Sequence, residues 1–71
     1  MVEALVTKRK DGVYEEKLDG RWHAEYREDP LTGLYRVEVF HHDVSEWADN
    51  DYPSVEEAQQ AAHEYYDSLI S

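Results

Sequence analysis

An α+β fold is predicted for this chain: an antiparallel sheet of three or four strands in meander order, with one C-terminal helix packed across one face. Three observations carry the prediction. Residues 54–70 form one well-capped amphipathic segment, two earlier stretches alternate apolar and polar residues with the period of a half-buried strand, and clusters of turn-forming residues separate them. With 71 residues and no repeat or linker, the chain is expected to be one domain.

Residues 1–12 read either as an edge strand or as a loose tail. Ala4 to Lys8 is the candidate strand, because Asp11-Gly12 after a short apolar run suits a hairpin turn. Residues 13–48 are expected to form the sheet. Val13 to Leu18 leads into Asp19-Gly20, after which Trp22, Ala24 and Tyr26 alternate with Arg21, His23, Glu25 and Arg27. A three-residue turn at Asp19-Gly20 would bring Tyr14, Glu16 and Leu18 onto the Trp22 face, so it is preferred over a two-residue turn, which would put Glu15 and Lys17 there.

Glu28 to Gly33 is a loop, and Leu34 to His42 is the next strand, with Tyr35, Val37 and Val39 on one face. Pairing Tyr26 with Tyr35 would set Ala24 against Val37, Trp22 against Val39, Glu25 against Arg36 and His23 against Glu38. Apolar residues would then meet apolar and acid would meet base. The polar stretch from Asp43 to Asp51 leaves room only for a short edge strand at Ser45 to Ala48. The helix follows: Ser54 is its N-cap, Glu57 lies three residues on, and Val55, Ala58, Ala62, Tyr65 and Leu69 share one face.

Composition narrows the function classes. No Cys is present, which excludes a disulfide framework or thiolate metal site and makes a reducing cytoplasm the expected compartment. Neither a leader nor a membrane span is expected from the sequence. The net charge of −10 is uneven: residues 1–36 hold all seven Lys and Arg against eight acids, whereas residues 37–71 hold nine acids and no Lys or Arg. The second half should repel phosphate and attract a basic partner.

Catalysis and metal binding find little in the sequence. Ser54 is occupied as the cap and Ser68 and Ser71 lie near the C-terminal end of the sequence, and Gly12, Gly20 and Gly33 are dispersed among turns, so no phosphate loop can be assembled. In the register above His23, Glu38 and His42 share a face, but Glu38 and His42 are roughly 13 Å apart along a strand. Asp49-Asn50-Asp51 opens like a calcium loop and then fails at Pro53 and Ser54. The expectation is a non-enzyme without a cofactor or metal.

Strands followed by Tyr52-Pro53-Ser54-Val55-Glu56-Glu57-Ala58 and an Ala-rich helix resemble the β-β-β-α closing unit of double-stranded-RNA-binding domains and of integrase arm-type DNA-binding domains. The resemblance implies the fold. Those families place basic residues at the helix start or on the exposed sheet, where this chain has Glu56 and Glu57, so nucleic-acid binding does not carry over with it.

A protein-interaction or regulatory module is therefore the leading expectation, with Phe40, Trp47, Asp49, Asp51, Glu56, Glu57, Glu64 and Asp67 as its candidate surface and a basic protein or a second copy of the chain as partner. Glu64 and Asp67 oppose the helix dipole, so helix stability does not account for them. A DNA mimic that occupies a basic nucleic-acid-binding protein is the alternative. Direct nucleic-acid binding through Arg21, Arg27 and Arg36 is a further, disfavoured one.

Overall fold

A computed structural model describes residues 6–70. Five strands, β1 (Thr7–Lys8), β2 (Tyr14–Lys17), β3 (Trp22–Glu28), β4 (Tyr35–His41) and β5 (Val44–Tyr52), precede one helix, α1 (Val55–Ile70). Every strand pairs antiparallel with its neighbour in sequence, giving the meander order β1-β2-β3-β4-β5. The α+β meander with a C-terminal helix is as expected, with five strands where three or four were expected. Thr7–Lys8 supplies a short first strand; the rest of the candidate strand from Ala4 lies partly outside the described residues.

The turns set the registers. Between β2 and β3, Leu18 and Asp19 both donate backbone N–H bonds to the Trp22 carbonyl (2.9 and 3.1 Å), while Asp19 Oδ1 accepts from the amides of Arg21 and Trp22 (2.6 and 3.1 Å). This longer turn puts Glu16 opposite Ala24 and Tyr14 opposite Tyr26, on the face that receives the helix. Expectation and structure agree here because only one of the two turns keeps the apolar residues together.

The β3–β4 register departs from expectation by two residues. Tyr26 pairs with Val37, Ala24 with Val39 and Trp22 with His41, so Glu25 faces Glu38 and Arg27 faces Arg36. A slip of two preserves which face each side chain takes. What decides it is the loop: Asp29 N–H donates to the Leu34 carbonyl (2.8 Å), Gly33 N–H to the Asp29 carbonyl (2.7 Å), and Asp29 Oδ1 accepts from the Leu31 amide (2.9 Å). This closes the hairpin at Glu28 and Tyr35. Gly33 sits at φ 75°, and a Cβ added there would meet nothing within 4 Å, so Gly33→Ala has room but the wrong backbone basin. Urea denaturation should show a loss of about 1 kcal/mol for this variant.

β5 corrects a second expectation. The β4 strand stops at His41, and His42 and Asp43 form a two-residue turn at φ 50° and 66°, from which β5 runs nine residues to Tyr52. Two register shifts against β4, between Val39 and Phe40 and between Tyr35 and Val37, interrupt its alternation, and Asp51 takes φ 72° within the second. The bulges break the period of two that marks a strand in sequence. They also make a poor template of a long exposed edge.

The core lies between sheet and helix: Ala24, Tyr26, Val37, Val39, Ala58 and Ala62 have no solvent exposure. Ser54 caps the helix through its Oγ, which accepts from the Glu57 amide at 3.2 Å. Trp47 stacks on Tyr65 (4.9 Å between ring centroids, 10° between planes), tying the helix to β5. No helix among the described residues is long and apolar enough to cross a membrane.

Candidate interaction surface

Because the sheet is a meander, position along the chain becomes position across the molecule. The charge asymmetry of the sequence is thereby laid out in space. Ion pairs to Lys or Arg among the described residues all fall within residues 9–27: Arg9 reaches Asp11, Glu15 and Glu25, and Arg27 reaches Glu25. None of the nine acids after Arg36 takes part in such a pair among the described residues.

Most of those acids gather on the β5 side. Glu46, Asp49 and Asp51 are exposed along the edge strand. On α1, Gln59 and His63 reach Glu16 of β2, while Tyr65 packs on Trp47 of β5; at about 100° per residue the stripe Glu57, Ala61, Glu64 and Ser68 therefore lies on the β5 flank. Glu56 and Asp67 point outward and are exposed. Tyr52 ends β5 just before the helix. Its hydroxyl donates to Asp49 Oδ2 at 2.8 Å, and its pKa is pushed up to about 12 by burial first, then by Asp49 and the nearby charge of Glu64.

The candidate residues thus divide. Asp49, Asp51, Glu57 and Glu64 form one acidic flank, extended outward by Glu56 and Asp67. Trp47 is half-buried against the helix and shapes that flank from beneath. Phe40 lies on the opposite, helix-free face, where it stacks on His23 (4.8 Å, 6°), whereas the register expected from sequence places it beside Arg21.

That helix-free face is arranged in rows. Glu15, Glu25 and Glu38 lie directly across from one another on β2, β3 and β4, and Arg27 faces Arg36 in the next row. Like charges directly opposite are unfavourable, so compensation runs along the strand, with Arg27 on Glu25 Oε1 at 3.1 Å. Arg36 donates to Asn50 Oδ1 at 3.0 Å. Its carboxylate row and engaged arginines make this a poor surface for a phosphate backbone.

Sequence reasoning missed Glu16. It is 2% exposed, on the helix side of β2, and accepts from the Tyr26 hydroxyl (2.6 Å), Gln59 Nε2 (3.1 Å) and His63 Nε2 (2.8 Å). The signal was present: an acid on the Trp22 face, and a helix flank carrying Gln59 and His63. Farther along the same flank the Tyr66 hydroxyl donates to Asp19.

Three carboxyls are held below their ordinary range: Asp11 to about 2, chiefly by Arg9; Asp19, chiefly by the Tyr66 hydroxyl; and Asp49, chiefly by the Tyr52 hydroxyl. A lowered folded pKa stabilises above the unfolded value and is lost as pH falls through the folded one. Tyr52, raised to about 12, stabilises below its ordinary value of 10.0 and loses that contribution as pH rises between the two. Stability should therefore decline below about pH 4 and above about pH 10. Asp19→Asn should flatten the acid limb in thermal melts taken across pH.

The chain matches no family model, and no curated protein or solved structure matches it either, so the surface is interpreted from its own chemistry.

Proposed function

We propose that this domain is a non-catalytic protein-interaction module that offers the acidic flank of β5 and α1 to a basic protein, in the cytoplasmic setting that a cysteine-free chain suits. One observation supports the reading above the others: the meander gathers acids of the second half on the β5 side, away from the Lys and Arg of the first three strands, and no ion pair to Lys or Arg among the described residues engages them. Solubility alone would be served by acids spread evenly. An excess of negative charge on one side gives a field that steers and orients a complementary partner.

The test uses a short Lys- and Arg-rich peptide titrated into the 15N-labelled chain. Amide shifts should concentrate on Glu46 to Tyr52 and on the Glu57 and Glu64 stripe, weaken with salt, and disappear in D49K/D51K/E57K/E64K. Shifts spread evenly over the sheet, or their absence at low salt, would refute the reading. DNA mimicry is the case in which the basic protein is itself a nucleic-acid binder; duplex DNA would then compete for that protein.

A further inference from the structure

On the helix-free face, one ligand atom each from Glu15, His23 and Glu25 lie within 4.8 Å of one another. Glu15 faces Glu25 across the β2–β3 ladder, and His23 is two residues before Glu25 on the same side of β3. Burial calls for a cation beside these carboxylates. The Glu25 side chain is only 11% exposed; its Oε2 shares Arg9 Nη1 with Glu15 Oε2, at 3.1 and 3.2 Å, and lies 3.6 Å from His23 Nε2.

We propose that Glu15, His23 and Glu25 form a binding site for a divalent transition-metal ion of the zinc class, for which Arg9 is the resident internal cation. The His23 Nε2 to Glu25 Oε2 separation is 3.6 Å, close to the edge of about 3.4 Å between ligands of a tetrahedral ion with bonds near 2.1 Å. Glu15 has the longer way to move, and at 41% side-chain exposure it is free to rotate inward.

The surroundings fit a ligating set. Phe40 fixes the plane of the His23 ring while leaving Nε2 at Glu25, and Arg27 holds the other Glu25 oxygen, as outer-shell partners of metal ligands do. A nitrogen donor beside two carboxylates selects a borderline transition metal over magnesium or calcium, which take oxygen sets. Water completes the coordination from a depression of about 430 Å³ that opens past Lys17, Asp19 and His42. Arg9 is the competitor for these oxygens: it follows a strand of only two residues, and its other guanidinium nitrogens hold Asp11 at 2.7 and 3.3 Å, so it keeps a partner when Nη1 is displaced.

Calorimetric titration of the full chain with zinc chloride tests the proposal on wild type, R9Q and H23F, the last keeping the ring stack without the nitrogen. R9Q should bind at least about tenfold tighter than wild type and H23F at least about tenfold weaker, with magnesium unable to compete. Equal affinity in R9Q and wild type, equal affinity in H23F and wild type, or no binding by any of the three would overturn it. Histidine-selective NMR on the unsubstituted chain is an independent test: zinc must shift the His23 ring before those of His41, His42 and His63, and the reverse order refutes the site.

Discussion

Glu16→Ala is expected to lower the unfolding free energy by about 3 kcal/mol and the melting temperature by about 15 °C. The carboxylate is acceptor-only and takes three donors from two elements: Tyr26 on β3, and Gln59 and His63 on α1. Its removal strands the Tyr26 hydroxyl, whose residue has no solvent exposure, while His63, 39% exposed, can turn to water. The loss is therefore below the full cost of breaking a buried ion pair. For a 71-residue domain with roughly 4–10 kcal/mol in total it is still a large share. Glu16→Gln, which keeps an acceptor for Tyr26, should cost about 1 kcal/mol. Urea melts that place Glu16→Ala within about 1 kcal/mol of wild type would show that the three bonds do not pin the helix to β2.

Legibility in the sequence followed the physical origin of each feature. The helix was readable to its cap because Ser54, Glu57 and the Ala58/Ala62 spacing are local signals. The β2–β3 register was readable because a two-residue turn would have put Lys17 on the apolar face. The β3–β4 register was not, since a slip of two keeps every residue on its own face and only the Asp29 and Gly33 loop bonds distinguish the alternatives. Matching acid to base favoured the wrong one, because the compensating ion pair runs along β3 from Arg27 to Glu25.

β5 was anticipated only in part, at Ser45 to Ala48, for another reason. Two bulges and a turn built from His42 and Asp43, without glycine, erase both the alternation and the turn signature. The acidic flank does not depend on these registers. Net charge along the chain is insensitive to register, and a meander needs only its strand order to turn that charge into a surface. The Glu15, His23 and Glu25 cluster follows from the β2–β3 pairing that the turn already implied, but only the structure shows that the three side chains converge.

The other large effect is expected from Ala62→Leu. Ala62 and Ala58 are fully buried and are the helix's contribution to the central core with Ala24, Val37 and Val39. A methyl group at each position lets the helix backbone approach the sheet closely, and close approach is what brings His63 and Gln59 onto Glu16, Tyr66 onto Asp19 and Tyr65 onto Trp47. The extra carbons of leucine at the centre must either lift the helix or distort β3 and β4, at a cost of about 3 kcal/mol. Ala61→Leu, one residue away on the half-buried β5 flank, should stay within about 0.5 kcal/mol of wild type. If lifting is the response, the near-ultraviolet circular dichroism of the Trp47 and Tyr65 stack should fall in Ala62→Leu and persist in Ala61→Leu. An unchanged signal with unchanged stability would mean that the polar pins, rather than the alanine seat, set the height of the helix above the sheet.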